Sequence, residues 1–188
     1  MSLVELIAEA DERGLATSGL GCLDRCVPLL GVGEPGAPDE DVLRPLWASL
    51  AEDGADWGAR LGAAREELDG AAGEGEAAEL VRRMLGAAPE RAVADAWREW
   101  ADACSVAALQ VHRMLDPGKD SASGVGVRRE GRTEGMSPLV AAELRRQTQI
   151  LELLADGGAA GLRQALVVST EGRRVLRAVV SRRARGRG

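Results

Sequence analysis

Apolar residues recur at helical spacing along most of the chain and scarcely anywhere alternate as a half-buried strand requires. Leu3, Leu6, Ile7 and Ala10 share one face behind a Ser2/Glu5 capping box, which predicts a helix from about Leu3 to Arg13, stopped by Gly14. A glycine-rich stretch follows, then a short apolar piece from about Leu20 to Leu30 that Pro28 ends or bends. Residues 31–38 read as a loop, after which Asp39 or Asp41 caps a helix through Val42, Leu43, Leu46, Trp47 and Leu50. Trp57, Leu61, Ala64 and Leu68 make a 3.6-residue stripe, and Leu80, Val81, Met84 and Leu85 mark the next helix.

The longest periodic run spans 89–115. Val93, Trp97, Trp100, Cys104, Ala108, Val111 and Leu115 fall in one arc, with Asp95, Glu99 and Asp102 opposite, and Asp116-Pro117-Gly118 ends it. At 1.5 Å per residue this helix is roughly 40 Å long and reads as the central one. Residues 117–136 show no periodicity and read as a flexible linker. Ser137-Pro138 opens a helix that runs to Gly157-Gly158. Two shorter helices follow, about Ala159–Val168 and Glu171–Arg183, the second capped by Thr170. The expectation is an all-α fold: a bundle of seven or eight helices around a long central helix at about 89–115. It divides into a helical core domain (1–116), a flexible linker (117–136) and a C-terminal helical segment (137–188) that carries a basic tail and packs on the core.

Composition narrows the chemistry. The chain has 23 Arg against a single Lys, four Trp, and no Phe, Tyr or Asn, the signature of a GC-rich bacterial genome. No segment approaches the roughly 18 apolar residues of a membrane span. There is no basic stretch leading into an apolar one near the N-terminus, and three cysteines are an odd number for a disulfide framework. The cytoplasm is the expected compartment. General acid–base candidates reduce to His112, Lys119 and the carboxylates. No Gly-x-Ser-x-Gly elbow or His-Glu-x-x-His site exists, and Gly118-Lys119 leads into Asp120, which is no P-loop. The reading leans away from an enzyme and requires no cofactor.

Charge is unevenly placed. Residues 161–188 hold eight Arg and one Glu, while the rest of the chain is strongly acidic against an overall charge of −6. Arg173, Arg174, Arg177, Arg182, Arg183, Arg185 and Arg187 crowd the final helix and tail, a footprint that suits phosphate. The same arginines could instead fold back onto the acidic body. A helix-turn-helix over Gln149–Ser169 fails its register, because the turn lacks its glycine.

Other motifs resolve to plainer readings. Gly31-x-Gly33-x-x-Gly36 matches a dinucleotide fingerprint as a string, but it contains Pro35, leads into Glu34, Asp39, Glu40 and Asp41, and lacks a surrounding βαβ unit. It reads as a Gly/Pro loop. Cys22 and Cys26 share a helical face, as do Cys104 and His112, so a Cys₃His zinc site is arithmetically available. Buried apolar cysteines are the default, and no metal is assigned. The four tryptophans lie on apolar stripes. With so much Ala around them, one partly exposed indole is expected, and Trp97 or Trp100 is the candidate partner anchor.

The leading expectation is thus a non-enzymatic cytoplasmic protein that binds another protein, as adaptor, regulator or oligomer subunit. The alternative is a nucleic-acid-associated protein that uses the C-terminal arginines. A third is a small-molecule binder or enzyme with buried carboxylates.

Overall fold

Ser2 and Glu5 close the expected capping box, Glu5 N donating to Ser2 Oγ (3.3 Å) and Ser2 N to Glu5 Oε2 (2.7 Å). The computed structural model describes residues 1–116 and 124–186. Helix α1 (Leu3–Glu9) ends before Gly14, and Asp11 caps a new helix, α2 (Glu12–Cys26), by accepting from Gly14 N at 2.7 Å. Gly14 therefore lies in the first turn of a helix and stops none.

Every residue of α2 from Gly14 to Cys26 is buried. Its glycines serve close packing. A Cβ on Gly19 would stand 2.5 Å from Trp100 Cε3, and one on Gly21 would meet Ser169 Oγ and Ile150 Cδ1 at 3.0 and 3.1 Å. A short 3₁₀ turn (Val27–Leu30) follows, with Pro28 at its start.

Six further helices follow among the described residues. They are α3 (Arg44–Ala51), α4 (Trp57–Leu68), α5 (Glu76–Gly86), α6 (Ala94–Leu115), α7 (Val125–Arg129) and α8 (Pro138–Arg185). Helix α2 packs on α6 and α8, and α6 packs on α5 and α8. The fold is all-α, a helical bundle with a long internal helix, as the periodicity indicates. That helix starts at Ala94 rather than Pro89, because Val93 is extended and Pro89 O accepts the Trp57 indole N–H at 2.7 Å.

Two further differences have local causes. Within the stretch read as a linker, Val125–Arg129 form α7, whose Val125 packs with Leu109 and Val140 and whose Arg128 and Arg129 are buried. Residues 117–123, Lys119 among them, lie outside the described residues. The helix from Pro138 breaks at Gly158 (φ +49°, ψ −128°), where the sequence ends it, so α8 denotes two helices joined at this kink; the two shorter helices expected beyond it run together as one. Thr170 caps nothing, because its hydroxyl donates back to Leu166 O at 2.9 Å within the continuous helix. No helix among the described residues is long and apolar enough to cross a membrane.

Candidate anion-binding cleft

Three polar residues meet where α2, α6 and α8 converge. Arg25 donates from Nε to Glu143 Oε2 (2.8 Å) and from Nη2 to Glu143 Oε1 (2.6 Å), and both side chains are fully buried. His112 Nδ1 donates to Ala108 O at 2.7 Å, and its Nε2 faces Glu143 Oε2 at 3.5 Å. Gln147 donates to Glu143 Oε1 (2.9 Å) and accepts from Ser105 Oγ (2.6 Å), which in turn accepts from Arg129 Nε (3.0 Å). Arg129 continues the chain to Asp102.

Burial pushes the Glu143 carboxyl up. The Arg25 and His112 charges, with hydrogen bonds from Arg25 and Gln147, outweigh it and hold the group down at about 2. Burial likewise depresses His112, against the pull of Glu143. Arg25 Nη1 also donates to Ser169 Oγ at 3.2 Å. This cluster is sealed inside the bundle, and it fixes the height at which α8 lies against α2.

That register governs the surface beyond it. Gly172 must be glycine, since a Cβ there would fall 2.4 Å from Arg25 Cδ. One residue on, Arg173 donates from Nη1 to buried Asp24 Oδ1 (2.9 Å) and from Nη2 to Asp41 Oδ1 (2.6 Å). One turn further, Arg177 binds the Glu40 carboxylate and donates to Gly33 O at 3.0 Å. The Gly31–Pro38 loop is thereby pinned to α8, and Gly31, Gly33 and Gly36 all take positive φ, as a tight loop needs.

Between this loop, the start of α3 and α8 lies an open cleft of about 580 Å³. Arg44, Arg173, Arg174, Arg177, Arg182 and Arg185 line it, with Thr170 and Ser181 hydroxyls and the carboxylates of Glu40 and Asp41. The spacing 170, 173, 174, 177, 181, 185 is one helical face. Asp41 is held below the usual carboxylate range: its slight burial is outweighed by Arg173 and Arg44. Burial raises Asp24, only partly offset by Arg173.

Of the seven arginines singled out in the sequence, the cleft gathers Arg173, Arg174, Arg177, Arg182 and Arg185. Arg183 points elsewhere, donating to Met114 O at 2.7 Å. Arg187 lies outside the described residues. Arg44 joins from α3, and no sequence pattern marked it.

The tryptophans sit apart from the cleft. Trp97 and Trp100 are 4% and 2% exposed and pack edge-on against Trp57 and tilted against each other, with centroids 5.0 to 6.3 Å apart. Trp47 is equally buried, so the expected partly exposed indole is absent. Gly19 is the reason, because it opens the space that Trp100 fills.

Cys22, Cys26 and Cys104 are buried thiols. Burial pushes Cys22 up to about 12 and the other two well above their ordinary value. Among the described residues no group of three or more His, Cys, Asp or Glu is placed to hold a metal ion. No protein-family model, curated protein or solved structure matches the chain.

Proposed function

We propose that this is a non-enzymatic binding protein whose working surface is the arginine cleft, and that the cleft receives the phosphates of a nucleic acid. The observation that carries this reading is the convergence of six guanidiniums on one open cleft. Arg174, Arg182 and Arg185 are exposed, and their side chains make no hydrogen bond or ion pair among the described residues. Guanidinium forks match phosphate oxygens in pairs. With all four indoles inside and no Phe or Tyr in the chain, no aromatic platform can stack a base. The contact these guanidiniums suit is with the phosphate backbone rather than with stacked bases.

Fluorescence anisotropy with a labelled random-sequence DNA duplex tests it. Wild type binds, and Arg174→Ala/Arg182→Ala/Arg185→Ala binds much more weakly. Equal binding by the two proteins, or none by either, contradicts the reading.

A second observation favours a protein partner. A groove of about 1090 Å³ runs between the 31–38 loop, the 70–75 joint and the ends of α6 and α8. Leu29, Met114, Leu115 and Val180 give it apolar ground, and Glu34, Glu67, Asp69, Glu74 and Glu76 an acidic rim. Its chemistry suits a basic amphipathic segment. Loss of binding to an Arg-rich amphipathic peptide in Glu67→Gln/Glu74→Gln supports that reading; unchanged binding, or none by wild type, contradicts it.

A further inference from the structure

The arginines of the cleft are held in two different ways. Arg173 is fixed by Asp24, a buried carboxylate on α2, with both side chains almost wholly enclosed, and it also shares the loop's Asp41 with Arg44. Arg177 and Arg44 are instead held by carboxylates that face solvent: Glu40, 50% exposed, and Asp41, 39% exposed. These acids belong to the loop that Arg177 itself pins through Gly33 O.

We infer that Glu40 and Asp41 are internal stand-ins for the ligand, and that Arg177 with Arg44 forms the phosphate seat of the cleft, where a phosphate group replaces the Glu40 carboxylate. This rests on the reading of the cleft as an anion site.

Three observations lead there. The Arg177 fork already donates to two oxygens, one of a carboxylate and one of a carbonyl, which is the pattern two phosphate oxygens present. The ion pairs to be exchanged are exposed, and exposed pairs are weak. The segment that must yield enters through Gly31, Gly33 and Gly36, each at φ near +80°, and lies outside the helices of the bundle. Arg174, Arg182 and Arg185 stand on the same cleft and hold a polyanion while the exchange occurs. The loop acids thus compete with the incoming phosphate for Arg177 and Arg44 and attenuate its affinity, so that a polyanion held at several arginines displaces them.

The inference predicts a gain of binding on removing a native contact. Anisotropy titrations with the labelled duplex compare wild type, Glu40→Gln, Asp41→Asn and, as a control for net charge, Glu9→Gln on α1, with thermal unfolding showing that each is folded. Glu40→Gln is expected to bind about two- to fivefold tighter than wild type, the range one exposed ion pair spans, with Asp41→Asn in the same direction. Glu9→Gln stays at the wild-type affinity. Wild-type binding with unchanged or weaker binding by Glu40→Gln overturns the inference and leaves the cleft as an anion site. An equal gain in Glu9→Gln also overturns it. Displacement of the duplex by polyglutamate as readily as by polyphosphate overturns the assignment of the seat to phosphate. No binding by any of the proteins overturns both the inference and the reading beneath it.

Discussion

Arg25 of α2 and Glu143 of α8 lie 118 residues apart in sequence and meet through two hydrogen bonds with neither side chain exposed. A buried pair of this kind is costly to break, because either half left alone is an uncompensated charge. Glu143→Gln is expected to destabilise the protein by about 3–5 kcal/mol in urea unfolding, and Arg25→Met by a similar amount. The double variant Arg25→Met/Glu143→Leu should lie closer to wild type than either single change. If the double variant's loss equals the sum of the two single losses, Arg25 and Glu143 are not coupled.

Acid acts on the same cluster in two stages. His112 has its proton affinity depressed in the folded state below the ordinary 6.5, so the unfolded chain takes the proton first and stability falls as pH drops through that value. Glu143 titrates at about 2 when folded against an ordinary 4.5; its contribution is whole above pH 4.5 and is lost as pH falls toward 2. The melting temperature of wild type is expected to decline from near neutrality downward. In His112→Gln the decline between about pH 7 and 5 is absent while the loss below 4.5 remains. A wild-type profile that is flat from pH 7 to 5 contradicts this.

Two helical glycines are expected to respond oppositely to the same substitution. Gly19→Ala drives a Cβ to within 2.5 Å of the Trp100 ring and should cost about 1–3 kcal/mol despite alanine's better helix propensity. Gly62, inside α4, has nothing within 4 Å of the Cβ position, and Gly62→Ala should stabilise by about 0.5–1 kcal/mol. Chemical denaturation of the two variants checks both signs.

The same glycines show how far the sequence could be read. Where one apolar stripe faces a core, as at Trp57, Leu61, Ala64 and Leu68, spacing alone placed the helix within a residue of its observed start. Helix α2 escaped because it is buried on all sides. Its small residues look like a loop, while in the fold they admit Trp100, Ile150 and Ser169. The break at Gly157-Gly158 was legible from its two glycines, and Gly158 leaves the helical conformation there; the further break expected near Thr170 is absent, because the chain beyond Gly158 stays helical to Arg185. The arginine face of α8 follows from residue spacing. Arg44 and the loop carboxylates do not, because only the Arg25–Glu143 register brings Glu40 and Asp41 to Arg177 and Arg173.

The central claim is that the arginine cleft holds phosphate, and the salt dependence of duplex binding tests it most directly. Each phosphate neutralised contributes about 0.9 to the negative slope of log affinity against log salt. If Arg174, Arg182 and Arg185 each meet one phosphate, their triple replacement by alanine lowers that slope by about 2.7 along with the affinity. A wild-type slope near zero, or a triple variant with the wild-type slope, contradicts the account.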